Sequence, residues 1–237
     1  MSRSVGAVGP RGVPAPVRSI EPTRQARNTP GRAGSPGAGR VSFVDDAALL
    51  AGVRAGNPVA MGELHDRYAA MVLRVVTRIL GPDRDLADIH HDVFVRALQS
   101  IDDLRDPEAL PGWMRSVAVH TAREAIQKRV RRRRWLVFLS DDSLPEPEPP
   151  DRGAHDDARE AVRETYSVLE RLPVDERIAF ALRYVDGMDL AEAAESCRTS
   201  LATFKRRLAR AESRFLALAR RSSALADYLE GGARWTR

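Results

Sequence analysis

The 237-residue chain has a single cysteine, Cys197, so no intrachain disulfide can form and a zinc cluster built from thiolates is excluded. Aromatic residues make up only 5% of it, a scarcity that suits small helical units better than a β-sandwich. No run approaches the roughly 18 apolar residues of a membrane helix. The opening MSRSVGAVGP also lacks the continuous apolar segment of a secretory signal. A cytoplasmic protein with no membrane insertion is expected. Lysine is nearly missing too: Lys128 and Lys205 are the only two, and Arg and Ala take their place as they do in a GC-rich coding sequence. There is no Gly-rich phosphate loop and no nucleophile elbow, so neither an enzyme nor a cofactor is expected.

What is present is charge, and its placement matters more than its sum. The net charge of +5 and isoelectric point near 9.9 hint at a nucleic-acid partner. Residues 1–41 carry seven Arg against one acid, Glu21, among Pro, Gly, Ser and Ala with no apolar period. Such a segment cannot bury enough surface to offset its ordering entropy, and it reads as a disordered basic extension. Residues 140–158 reverse the sign, with seven acids against Arg152. Their SDDSLPEPEPP stretch reads as a flexible acidic linker, too short to hold a further folded domain. The organisation expected is all-α: one helical domain over 42–139, the linker, a second helical domain over 159–221, and a tail over 222–237.

Periodicity supplies the helices. Asp45–Ala55 reads as a short helix ending at Gly56. Asn57-Pro58 then restarts the chain with a cap and a proline at the first helical position. Met61, Leu64, Tyr68, Met71, Val75 and Ile79 recur every three or four residues up to Gly81-Pro82. Asp83 is placed to cap a third helix whose Leu86, Ile89, Val93, Ala97 and Ile101 share a face. After the turn-rich Asp102–Pro111, a fourth helix runs from about Gly112 into the basic run Lys128–Arg134. Beyond the linker, helices are marked by Val162, Tyr166 and Leu169, then by Ile178, Leu182 and Val185. Asp189 and Ser200 cap the last two.

Those last two helices, a three-residue turn apart, form a helix-turn-helix pattern. In the second of them Leu201, Phe204, Leu208, Ala211 and Phe215 form the inward stripe. Ala202, Thr203, Arg206 and Arg210 lie opposite, flanked by Lys205 and Arg207. A helix apolar inward and basic outward suits the DNA major groove, where its first turn reaches base edges and its cations meet phosphates. The fourth helix has a similar asymmetry. Leu110, Trp113, Met114, Val117 and Thr121 point inward, and Ser116, His120, Arg123 and Gln127 form a polar stripe leading into the cations from Lys128. His90-His91 beside Asp88 and Asp92 lacks a complete ligand set and reads as a solvated helix face, so no metal site is expected. Cys197 reads as a small buried apolar group.

The succession DLADIHHDVFVRAL (85–98), LPGWMRSVAVHTAREAIQKRVRRRR (110–134), LPVDERIAFALRYVDGMDLAEAAE (172–195) and SLATFKRRLARA (200–211) resembles extracytoplasmic-function sigma factors of the sigma-70 family. The resemblance spans about residues 45–221. It implies core RNA polymerase and promoter DNA as partners, and the family often works with anti-sigma proteins. On this resemblance Asp85, Asp88, Asp92, Phe94 and Arg96 would belong to the polymerase-docking helix, with exposed charge for register and an apolar anchor for affinity. The loop 102–111 with Ser116, His120, Arg123, Gln127 and Lys128 would open and read the −10 element in a pocket between loop and helix. Ala202, Thr203, Lys205, Arg206 and Arg210 would read the −35 element as duplex. The sequence departs from the family pattern at Ala87, His91 and His120, and the Arg198-Thr199 turn lacks the usual Gly. Two other readings of the residues stay open: a stand-alone helix-turn-helix regulator that binds duplex operator without polymerase, and an RNA-binding protein.

Overall fold

The computed structural model describes residues 45–139, 156–222 and Leu225. The basic extension and most of the acidic linker lie outside the described residues. All regular structure among the described residues is helical.

The first module is built from α1 (Asp46–Arg54), α2 (Pro58–Leu80), α3 (Leu86–Gln99) and α4 (Leu110–Leu139). Local chemistry sets its boundaries. Asp45 accepts the Ala48 N–H at 2.6 Å, and Asn57 accepts that of Val59 at 2.9 Å ahead of Pro58. Gly81 closes α2 with φ +79°, a left-handed value open to glycine at little cost. The expected cap at Asp83 is displaced. The residue flanking α3 is Asp85, whose side chain makes no cap bond, while Asp83 accepts the Asp85 N–H at 2.8 Å and ties itself to Arg129. Arg129 competes for that carboxylate, and a charged partner wins over a helix-end amide.

Between α3 and α4 the chain makes two 3-10 turns, Ile101–Asp103 and Pro107–Ala109. Ile101 therefore leaves the α3 stripe but stays buried. Arg54 at the end of α1 donates to the carbonyls of Ile101 and Leu104, which pins the loop to the module. α4 begins at Leu110, two residues ahead of the expected Gly112, and runs unbroken through the basic stretch.

The second module comprises α5 (Asp156–Glu170), α6 (Val174–Phe180), α7 (Leu190–Ser196) and α8 (Leu201–Ala219). α6 widens into a π turn over Ala181–Val185, where Asp186 N–H reaches Ala181 O at 2.9 Å. Asp189 caps α7 by accepting from Ala191 and Glu192, both at 2.8 Å, and Ser200 caps α8 through Thr203 at 3.2 Å. Phe180 stacks on Phe215 with centroids 4.4 Å apart, beside Leu169 and Ala211. One residue of the predicted inward stripe fails: Leu201 is 41% exposed. It is the first residue of α8, a turn ahead of Phe204, and lies past the edge of the core.

The modules do not stay apart on their tether. Ile178, Leu182, Met188, Ala193 and Ala194 join Leu110, Met114 and Val117 in one continuous apolar core. α4 packs on α6 and α7, and α2 packs on the π turn. By the area rule, burying a Leu or Ile side chain contributes about 1.5–3 kcal/mol, so this shared core is a substantial attraction.

Candidate nucleic-acid interface

α8 presents the face its sequence implied. Phe204, Leu208, Ala211 and Phe215 are buried, while Ala202, Lys205, Arg206 and Arg210 are exposed and Thr203 is half-buried. The first turn is tied together. Ser200 Oγ donates to Thr203 Oγ1 at 3.0 Å, and Arg206 Nη2 donates to the same oxygen at 3.1 Å. Arg206 is thereby drawn toward the helix N-terminus, where groove-reading side chains sit. Arg210 instead turns toward Glu176, 3.6 Å away, a carboxylate it shares with Arg214 at 2.6 Å. Arg207 pairs with Asp175 at 2.8 Å. Cys197, in the turn before α8, is buried, and burial pushes its thiol up to about 11. Arg198 beside it holds φ +49°, the left-handed position where the family's usual Gly is missing.

The α4 stripe is less open than its polarity suggested. Gln127 and Lys128 are exposed, as are Arg131, Arg132 and Arg133. Ser116, expected on the outward face, is 5% exposed, and its hydroxyl donates to Glu195 O at 3.4 Å. His120 and Arg123 are half-buried. Burial holds the His120 imidazole below its ordinary 6.5, and the Arg198 and Arg123 cations act in the same direction. The Ser116 carbonyl 2.8 Å from Nδ1, and Glu124, oppose them. The reason for the correction at Ser116 is non-local: α7 of the second module covers this part of α4.

A cavity of about 310 Å³ opens beside His120, lined also by Gln99, Ser100, Thr121, Glu124 and Arg198. It lies between α4 and the end of α3 rather than against the loop 102–111. Sequence reasoning missed Glu124 and Arg198 here, because neither belongs to a polar stripe and Arg198 comes from the other module. A second groove, about 340 Å³, separates α3 from the end of α4. Asp85, Asp88 and Asp92 line it, and Lys128, Arg131 and Arg132 face them. Acids and cations assigned to different partners by sequence thus meet across one cleft.

On α3 itself, Asp88 and Asp92 are exposed. Asp85 pairs with Arg129 at 3.0 Å, and Arg96 with Glu124 at 2.6 Å. Phe94, the apolar member of the docking set, is not a surface anchor. It is 7% exposed and packs on His65 and His90, with centroids 4.7 and 5.2 Å away. His90 is likewise no solvated face, because its Nε2 lies 3.2 Å from Ala69 O. The large apolar residue that α3 exposes is Val95. Among the described residues no group of acids, His and Cys is placed to hold a metal ion, and no helix is long and apolar enough to cross a membrane.

Two family profiles match this arrangement: sigma-70 region 2 over residues 64–135, and sigma-70 region 4 over residues 163–215. The chain is 25% identical over 174 residues to the RNA polymerase sigma-H factor of Pseudomonas aeruginosa, covering 70% of this chain and 89% of that one. It is 29% identical over 175 residues to the ECF RNA polymerase sigma-E factor of Escherichia coli K12, covering 70% and 90%. Among solved structures, CnrH in complex with the cytosolic domain of CnrY has a similar fold, with a TM-score of 0.51 at 24% identity over 75% of this chain and 99% of that one. The chain belongs to the sigma-70 family, in its extracytoplasmic-function group. It is an RNA polymerase sigma factor that directs promoter-specific initiation, a DNA-recognition subunit and not an enzyme.

Proposed function

We propose that the two modules divide promoter recognition between them, working in the cytoplasm as domains 42–139 and 159–221. α8 reads the −35 element as duplex through Thr203, Lys205 and Arg206, with Ala202 permitting close approach and Arg210 reaching phosphate. α4 and the cavity beside His120 hold the −10 element, with Gln127 and Lys128 carrying its backbone. A base held out of the stack needs polar groups at its edges, and the open cavity offers Gln99, Ser100, His120 and Glu124. α3 presents Asp88, Asp92 and Arg96 to core polymerase. An anti-sigma protein is proposed as a further partner, since CnrH was solved bound to the cytosolic domain of CnrY.

The observation that carries this reading is α8: capped, buried along Phe204–Leu208–Ala211, and cationic on the free side. The test is in vitro transcription with purified core polymerase on a library of promoters randomised at −35 and −10. The expected outcome is sequence selection at both elements only when chain and core are combined. Tight, selective binding to a duplex operator by the chain alone, with no gain from core enzyme, would favour a stand-alone regulator and overturn the proposal.

A further inference from the structure

Two neighbouring acids in the first turn of α6 divide the cations of α8 between them. Asp175 takes Arg207 at 2.8 Å and Arg123 of α4 at 2.9 Å, so this carboxylate and both its partners are used within the fold. Glu176 takes Arg210 and Arg214 instead. Its side chain is 8% exposed, whereas those of Arg210 and Arg214 are 60% and 51% exposed. The acid thus lies behind the two arginines, and their charge faces solvent. The stack of Phe180 on Phe215, one turn on from Glu176 and next to Arg214, fixes α6 against α8. Glu212, the only acid within α8, accepts from Tyr184 Oη and so is engaged elsewhere.

The two arginines are held differently. Arg214 Nη1 donates to Glu176 Oε2 at 2.6 Å. Arg210 approaches Oε1 through Nε at 3.6 Å, a looser ion pair. A guanidinium carries five N–H donors, so a contact through one nitrogen leaves others for a second acceptor. Helical geometry places Arg214 within about 40° of Arg210 and about 20° of Thr203 around the α8 axis, and about 16 Å beyond Thr203 along it. The major groove is about 12 Å wide. A helix whose first turn reads base edges therefore carries Arg214 past that width, to the phosphates that border the groove.

We infer that Glu176 is a positioning residue for −35 binding and that Arg214 is a further DNA-contact residue: the buried carboxylate holds Arg210 and Arg214 as a clamp for the phosphates beside the −35 bases. This inference rests on the reading of α8 as the −35 helix. A planar guanidinium meets a phosphate through two parallel N–H bonds, which makes arginine the fitting residue for such a clamp. An unrestrained arginine loses rotamer freedom when it closes on a phosphate, and one already ordered by a carboxylate loses less. Phosphate contacts carry no sequence information. The clamp sets affinity and register, and it leaves base preference to Thr203, Lys205 and Arg206.

The experiment uses holoenzyme assembled from the full chain and core polymerase. The probe is duplex promoter DNA carrying the −35 sequence selected in transcription, titrated at several salt concentrations beside its single-base −35 variants. Arg214→Ala should weaken binding on the order of fivefold, equally for every −35 variant, and flatten the salt slope by about one unit. Arg214→Lys should restore the slope. Glu176→Gln keeps the shape of the side chain and should weaken binding on the order of threefold, with slope and base preference unchanged. Glu176→Asp keeps the charge but shortens its reach. It should give a loss of the same sign, and it decides the matter where the neutral variant does not fold. In a chain already carrying Arg210→Ala and Arg214→Ala, Glu176→Gln should have no further effect on DNA binding. Core affinity and the unfolding midpoint check that each variant is folded and assembled. Arg214→Ala with unchanged affinity and slope would overturn the inference. So would a folded Glu176→Gln that binds as well as before, or more tightly with a steeper slope, since the carboxylate would then be no more than a screening charge. A Glu176→Gln loss that persists without the two arginines would overturn it as well. Unaltered holoenzyme with no preference at any −35 position would instead reject the reading of α8 itself.

Discussion

In the proposed −35 reading the side chain to test is Arg206, whose guanidinium is exposed yet held by Thr203 Oγ1 at 3.1 Å. Arg206→Ala removes no core volume. If the group meets a base, the substitution should cost about 1–3 kcal/mol and relax preference at one base pair. If it meets phosphate alone, binding should weaken across all sequences and the salt slope flatten by about one unit. Transcription from promoters carrying every base at each −35 position, repeated at several salt concentrations, separates the two. Unchanged rate, preference and salt response would remove this face from the DNA contact. Phe204→Ala acts differently. The ring is fully buried, so its loss should destabilise the chain by about 3–5 kcal/mol, read as a shift in denaturant midpoint. Both expectations follow from periodicity within one helix, and that is why the buried and exposed faces of α8 were legible in the sequence. Ser116 was not, because the group that covers it, Glu195, lies 79 positions along the chain. Phe94 was misjudged for a similar reason: its partner His65 comes from another helix.

At the scale of elements, caps and glycines made the helices readable: Asn57, Asp189 and Ser200 act as the sequence suggested, while Asp45, read as the first residue of α1, caps it instead. The π turn after α6 carried no such signal, since a single wider turn leaves the apolar spacing of Ile178, Leu182 and Val185 intact. The end of α2 gives a sharp test. A Cβ on Gly81 would stand 2.5 Å from Cδ1 of Tyr166, and the backbone there holds φ +79°. With ψ at −163° this is a conformation almost confined to glycine, so Gly81→Ala should carry about 1–3 kcal/mol of backbone strain in addition to displacing Tyr166. Thermal unfolding should register both as a lowered midpoint. α3 gives the second test. Asp88 and Asp92 are exposed, and the ion pairs of this helix are made by Asp85 and Arg96, so replacing both with Lys should leave folding intact while weakening binding to core polymerase. Competition against the unaltered chain measures this, and full core affinity in a folded double variant would reject α3 as the docking element.

For the whole molecule, the fold class was legible and the packing of one module on the other was not. The acidic linker implied independence, whereas Ile178, Leu182 and Ala193 complete a core with Met114 that neither helix pattern alone revealed. Call this packed arrangement closed and one with the modules apart open; the packing makes the closed state sensitive to acid through His120. Burial, then Arg198 and Arg123, lower the imidazole's proton affinity, while the Ser116 carbonyl and Glu124 only partly offset them. Arg198 belongs to the second module, and opening removes its cation and readmits water. The open chain then binds the His120 proton more readily than the closed chain does. Closed-state stability relative to open must rise with pH wherever the open form holds more protons. Closure should be fullest above the ordinary imidazole value of 6.5 and should weaken as pH falls below it. The loss ends once pH passes the depressed value of the closed form, where both states carry the proton. Distances between spin labels on Val59→Cys and Val162→Cys, both about half exposed, in a chain carrying Cys197→Ala and recorded from about pH 7.5 to about pH 5.5, a window that brackets an ordinary imidazole, should show a growing long-distance population. His120→Gln keeps a polar side chain but cannot take up the proton, so its distances should stay flat over that range. An equal pH response in His120→Gln would place the titrating group elsewhere and remove His120 from control of the contact.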